Sequence, residues 1–172
     1  GTINANQGTV VLNAKGNVTD SGAITASTLT VDTTGAAGGT GAITLDVATT
    51  DADTINLTSG NNKDILYTDA DGVDIGLLNS GTGSSTIHAG GSITQVGAIT
   101  SASLLIDSTG PVTLENASND VEQIAANVSG AGNGFSFKDA DDLIVGTVGA
   151  ISGIPTNGGD ITESVATDLT VN

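Results

Sequence analysis

Two groups of aspartates have the residue type and spacing that could bind a metal ion. They occur in related segments, "ILYTDADGVDIG" (65–76) and "FSFKDADDLIVG" (135–146), each with carboxylates between two runs of alternating apolar residues. The candidate ligands are Asp69, Asp71 and Asp74 in the first segment and Asp139, Asp141 and Asp142 in the second. Calcium is the metal that suits such donors, and it takes roughly six to eight oxygen ligands.

The loop patterns that bind calcium are incomplete here. In an EF-hand loop whose invariant glycine was Gly72, Tyr67 would stand at the first ligand position and Leu78 at the last, where carboxylates are required. The glycine- and aspartate-rich nonapeptide of calcium-binding β-rolls is missing as well. We therefore interpret "DAD" as a solvated corner between two strands. A weak surface calcium site is the alternative, and no other cofactor is expected.

Catalytic patterns are weaker still. Asp141 and Asp142 could serve a hydrolase that uses two carboxylates, but adjacent residues on a strand point to opposite faces. A lyase needs a cation beside its anionic intermediate, and the chain has no arginine. His88 is the single histidine and has no cysteine to join it in a metal or nucleophile site, so we expect it in a surface loop. The sequence predicts that the protein is not an enzyme.

Composition narrows the classes of partner and of core. The 172 residues carry 19 acidic groups against three lysines, a formal net charge of -16. Phosphate backbones and anionic lipids would repel such a chain, so nucleic-acid binding and membrane insertion are not expected. Aromatic residues make up only 2% of the chain, and a core of Ile, Val, Leu and Ala is indicated. A start at Gly1 with no targeting signal suggests a processed or excised segment.

Internal repeats organise the chain. "GAITASTLTVDTTG" (22–35) and "GAITSASLLIDSTG" (97–110) share eight of fourteen positions at an offset of 75 residues. A shorter marker, Gly-x-Ile/Val-Thr, begins at residues 16, 91 and 159. These markers predict one domain over residues 1–172, built from units at approximately 16–90 and 91–158 and a partial unit at 159–172.

Within each unit the apolar residues alternate, which is typical of strands with one buried face. Examples are Ile43, Leu45 and Val47 in one run and Leu143 and Val145 in another. Short strands at regular intervals, combined with a long sequence repeat, favour an all-β parallel β-helix, or β-solenoid. We expect about three strands per turn and seven to eight turns, with roughly three turns per unit and a rod about 35 Å long. The only candidate helix is the short segment 119–128.

The repeats resemble those of a known family. The segment "GSITQVGAITSASLLIDSTGPVTLENASNDVEQIAANVSGAGNGFSFKDADDLIVGTV" is similar to the repeats of filamentous haemagglutinin-type exoproteins, the large adhesins of Gram-negative two-partner secretion. The resemblance implies a right-handed parallel β-helix, export through an outer-membrane secretion pore and a place at the cell surface. It supplies no catalytic or ligand-binding residues.

The function expected from these observations is mechanical. We predict the structural shaft of a secreted adhesin or extracellular fibre that mediates adhesion or contact with cells or matrix. Its partners would be adjacent repeats, or further copies stacked head to tail, and a host-cell or carbohydrate receptor is possible. The alternative is a calcium- or carbohydrate-binding β-solenoid module.

Overall fold

A computed structural model describes residues 1–35 and 38–172, and every regular element in those residues is a β-strand. Sixteen strands join one parallel sheet, and two short strands form a separate antiparallel pair. The strands are β1 (Ile3–Asn4), β2 (Thr9–Asn13), β3 (Val18–Thr19), β4 (Ile24–Asp32), β5 (Ile43–Leu45), β6 (Asp51–Thr58), β7 (Ile65–Asp69), β8 (Val73–Ala89), β9 (Ile93–Gln95), β10 (Ile99–Ser108), β11 (Val112–Leu114), β12 (Asp120–Val128), β13 (Phe135–Lys138), β14 (Leu143–Val145), β15 (Thr147–Val148), β16 (Ile151–Ser152), β17 (Ile161–Ser164) and β18 (Leu169–Val171).

Strand pairing shows that the chain winds as a β-solenoid. One column of paired residues crosses nearly the whole molecule, with successive members 19 to 26 residues apart: Val18, Ile43, Ile65, Ser85, Leu104, Ile124, Val145 and Val171. Its eight levels are separated by seven rises of ~4.8 Å, which makes a rod about 34 Å long. The prediction of a parallel β-solenoid of about seven turns is confirmed.

The core follows the alternation seen in the sequence. In β7, Ile65 and Tyr67 point inward and are buried, while the residues between them are half-exposed. Above and below them stand aliphatic side chains of the neighbouring coils, such as Leu45 and Ile87 next to Tyr67. One continuous core of Ile, Leu, Val and Ala results, and Tyr67, Phe135 and Phe137 are its largest fully buried side chains.

The candidate helix at 119–128 is wrong, because nearly all of it is strand β12. This strand pairs with β10 over its whole length, from Thr100 opposite Asp120 to Ser108 opposite Val128. Helix-forming residues such as Glu122, Gln123 and Ala125 favour the other conformation locally. The ladder overrides that preference, since burial of Val121, Ile124 and Ala126 completes the core.

The sequence repeat does not coincide with a whole number of turns throughout. Ile93 and Ile161 occupy one column exactly three levels apart, through Val112 and Phe135. Leu29 and Leu104, equivalent in the sequence repeat, lie in different columns, since the column of Leu29 continues to Ile55, Ile75 and Gln95. The expectation of three turns per unit therefore fails for the first interval. Each face needs only an alternating run between two corners, so one segment can serve on different faces.

A short hairpin, β15 and β16, is the exception to the parallel sheet. Gly149 lies at its tip with φ +59°, a left-handed conformation that glycine adopts without strain. The tip packs on Leu105, whose side chain points away from the core and is nevertheless buried. The hairpin thus covers an apolar spot on the outer surface. No helix in the described residues has the length and apolar character needed to cross a membrane.

Candidate functional site

Asp69, the first aspartate of the first DAD segment, is buried inside the solenoid at the end of β7. Its Oδ2 accepts hydrogen bonds from the Tyr67 hydroxyl at 2.6 Å and the Ala52 amide at 3.1 Å. Its Oδ1 accepts the Asp71 amide at 3.1 Å. The expected solvated corner is therefore wrong for this residue, whose carboxylate ties its own turn to the preceding coil.

Burial dominates the titration of this pair. It raises the pKa of Asp69 above its usual value, and the three hydrogen bonds only partly oppose that effect. Burial, and then the Asp69 carboxylate, also raise the pKa of the Tyr67 phenol far above its normal range. Tyr67 therefore stays protonated and remains a hydrogen-bond donor to Asp69.

Asp139 repeats this arrangement at a different corner. It is also buried, with Oδ1 accepting the Val121 amide at 3.1 Å and Oδ2 accepting the Asp141 amide at 3.2 Å. Burial raises its pKa to about 6. Asp69 follows β7 on the face that contains Ile65, whereas Asp139 follows β13, which is paired with β11. The two DAD segments are thus alike in chemistry and lie on different faces of the coil.

Buried polar side chains at other corners share this role. In each case a side-chain oxygen accepts the amide hydrogen that begins the inward run of the preceding coil. Sequence analysis missed this device, although the signal is visible: a short polar residue stands just before, or at the end of, an alternating run. The donor and acceptor pairs are Ile24 with Thr50 at 3.3 Å, Ala52 with Asp69 at 3.1 Å, Ile99 with Asn119 at 2.9 Å, and Val121 with Asp139 at 3.1 Å.

A further corner is lined by hydroxyl groups. Ser80 Oγ lies 2.9 Å from the hydroxyls of both Ser85 and Ser101, and it donates to the Gly83 carbonyl at 3.0 Å. Thr33 donates to the Gly41 carbonyl at 2.6 Å and accepts the Gly60 amide at 2.8 Å. These groups satisfy the backbone where the chain turns, and so the polar atoms inside the coil have a structural explanation.

The structure brings three carboxylates together, but not the predicted three. Oxygens of Asp51, Asp69 and Asp71 lie within 4.8 Å of one another. Asp51 was not predicted, and Asp74 lies outside the cluster, where it accepts the Thr94 hydroxyl at 3.0 Å. Both oxygens of Asp69 already accept hydrogen bonds, so the exposed Asp71 and half-exposed Asp51 would supply most of the ligands to any cation.

The second predicted group does not assemble into a cluster within the described residues. Asp141 and Asp142 lie in a turn, so the argument that they point to opposite faces of a strand does not apply. Asp142 accepts the Asp168 amide at 3.0 Å and the Thr167 hydroxyl. These bonds, the hydroxyl first, lower its pKa. Its carboxylate therefore fastens the last coil.

His88 lies on strand β8 and not in a loop, so that expectation is wrong. Its Nδ1 is 3.3 Å from Oδ2 of Asp107, whose Oδ1 accepts the Asn127 amide group at 2.9 Å. With Thr68 these residues form an outward column of four levels. They line a shallow polar groove of about 460 Å³. The groove has hydrogen-bonding groups but no aromatic side chain on which a sugar could stack.

Comparison with known proteins agrees with the repeated architecture. A family described as repeats of unknown function (DUF5649) matches residues 62–129, which is 68 of the 172 residues. No curated protein and no solved structure matches the chain significantly. The matched region spans β7 to the end of β12, and so it contains the first DAD segment and the outward column of His88.

Proposed function

We propose that this chain is a structural shaft: a stiff spacer of a secreted cell-surface adhesin or extracellular fibre, which holds an adhesive part away from the cell. The observation that carries the proposal is the unbroken column of paired strands from Val18 to Val171. Because each coil hydrogen-bonds to the next, bending the rod would strain many bonds together.

The placement of polar groups supports a load-bearing role. The buried carboxylates and hydroxyls each accept or donate backbone hydrogen bonds at a corner, as Asp69, Asn119 and Ser80 do. Such side chains define where each coil turns and keep its backbone satisfied. Conserving this pattern requires no ligand, and we propose no enzymatic activity.

Surface charge supports an extracellular, non-aggregating rod. A net charge of -16 on a chain of 172 residues opposes lateral association of parallel rods. Secretion from a Gram-negative bacterium through an outer-membrane pore is part of this proposal on the strength of the repeat resemblance alone. A host-cell or carbohydrate receptor would be bound by another part of the fibre.

Display on a cell tests the spacer function. The chain is placed between an outer-membrane anchor and a terminal peptide tag, and binding of an antibody to the tag is measured on cells with long surface polysaccharide. We expect the solenoid to expose the tag better than a Gly/Ser linker of 172 residues, which collapses to a coil. Equal antibody binding for the two displays would overturn the proposal.

A calcium-binding module is the second candidate, because Asp51, Asp69 and Asp71 lie close together. Calorimetric titration with CaCl₂ tests it, with Asp51→Asn as the variant and Asp74→Asn as the matched control outside the cluster. Heat that disappears only in Asp51→Asn supports the module. An absence of heat, with no change of Tm in chelator, leaves the shaft alone.

A further inference from the structure

The last coil carries inward side chains that nothing covers. Ile161, Leu169 and Val171 are 50%, 43% and 73% exposed. Their partners one level below, Phe135, Leu143 and Val145, are no more than 6% exposed. These three side chains continue the core columns, so the coil presents an apolar surface along the axis of the rod.

Both ends of the solenoid also present free parallel strand edges. In the described residues, β17 pairs only with β13 and β18 only with β14. At the other end β2 pairs only with β4, and β3 only with β5. Open edges of this kind are templates for adding a strand. Only a head-to-tail arrangement preserves parallel pairing across the junction.

Register predicts which residues would meet. Val18 and Val171 are the first and last members of one column, so stacking one chain on another in register places Val18 of one copy on Val171 of the other. Three residues earlier on each strand stand Lys15 and Asp168. Lys15 lies directly below Thr40, whose amide donates to its carbonyl, and is therefore part of the first coil. The same register brings one of the three lysines beside an acidic residue.

We propose that the C-terminal coil of this chain docks onto the N-terminal coil of a second copy, head to tail and in register. The proposal deepens the shaft function and rests on it, since it uses the same column that makes the rod. Val171 and Leu169 fill the new level of core, and the Lys15–Asp168 pair selects the register.

Glu163 is compatible with burial at this junction. It follows Phe137 in the column that begins at Val10, and neither of its carboxylate oxygens has a hydrogen-bond partner. Burial, with Asp139 nearby, raises its pKa to about 8. A neutral carboxyl group meets an apolar surface at lower cost than a carboxylate. Opposing this, the net charge of each copy repels the other, so association is expected to strengthen as salt screens the repulsion.

Cysteine cross-linking tests the register, because the chain has no cysteine of its own. Lys15→Cys and Asp168→Cys are purified separately, mixed at high concentration in about 0.5 M NaCl and oxidised. We expect a disulfide-linked heterodimer. Ser164→Cys, on β17 and therefore on another face, replaces Asp168→Cys in the control and should give at least about tenfold less product, since the two sulfurs would be too far apart.

A second measurement avoids replacing the charged pair by cysteine. Sedimentation equilibrium should show that Lys15→Glu weakens association of the otherwise unchanged chain about threefold to tenfold, and that adding Asp168→Lys restores it. Monomers at all concentrations and salt levels, or equal cross-linking in the control, would refute the docking. A monomeric rod of the expected length would leave the shaft function intact, whereas a compact particle would remove both.

Discussion

The carboxylate of Asp69 accepts three hydrogen bonds in a position that water does not reach. A buried donor that loses its acceptor costs about 1–3 kcal/mol, and so this side chain contributes through the bonds it completes rather than through its charge. The same reasoning applies to Asp139 and Asn119 at other corners. At this scale the protein is a set of turns, each fastened by one polar group.

The first prediction concerns that fastening. We predict that Asp69→Ala lowers the free energy of unfolding by about 2–4 kcal/mol, because the Ala52 amide and Tyr67 hydroxyl lose their acceptor. The measurement is urea unfolding followed by circular dichroism. Asp71→Ala, in the same turn but exposed, is the control and should change stability by less than about 0.5 kcal/mol. Equal losses for the two variants would contradict the assigned role.

Glu163 gives a prediction about pH. Its pKa of about 8 in the folded chain lies above the ordinary 4.5, so the folded state holds a proton that the unfolded state releases. Its contribution to stability is therefore present below about pH 4.5 and is lost as the pH rises towards 8. We predict that Glu163→Gln raises Tm by about 2–4 °C at pH 8.5 and has little effect at pH 5, with the gain limited by partial exposure.

Thermal melts of wild type, Glu163→Gln and Glu122→Gln at the two pH values check this. Glu122 is exposed on β12 and serves as the control, with the same Tm as wild type expected at both. A gain for Glu163→Gln that is the same at pH 5 and 8.5 would contradict the titration of this side chain as its cause.

At the scale of elements, the strands could be predicted because alternation reports burial directly. Residues such as Ile65, Tyr67 and Leu143 point inward as the pattern requires. The helix expected at 119–128 failed because a ladder with a neighbouring coil outweighs local propensity. The faces on which the repeats lie could not be predicted, since turn lengths from 19 to 26 residues set the rotation between units. The buried aspartates were found as candidates but misinterpreted, because spacing alone does not show which carboxylate of a corner points inward.

A prediction at this scale uses the Gly-Ala-Ile-Thr repeat marker. A Cβ added to Gly97 would lie 1.7 Å from the carbonyl oxygen of Gly76 in the coil below, a contact that no side-chain rotation can relieve. We predict that Gly97→Ala separates these coils and lowers stability by about 2 kcal/mol or more. Gly16→Ala is the matched control, because a Cβ there would meet no atom within 4 Å. Denaturant unfolding of the two variants provides the comparison, and equal stability would show that the coils are not packed this closely.

At the scale of the whole molecule, the central claim is that axial distance grows by one strand spacing for each turn. The outward residues Asn13, Asp32, Thr58, Asn79, Thr100 and Asp120 form one column of six levels. Backbone separation should therefore be about 14 Å between Asn13 and Asn79, three levels apart, and about 24 Å between Asn13 and Asp120, five levels apart.

Spin labels on cysteines introduced at these positions measure the separations by pulsed electron resonance. We predict that the most probable distance for the Asn13–Asp120 pair exceeds that for the Asn13–Asn79 pair by about 10 Å, and that the pair Asn13–Thr100, four levels apart, falls between them. Distances that fail to increase in this order, as folding into antiparallel hairpins or a closed barrel would give, contradict the solenoid and with it the proposed shaft.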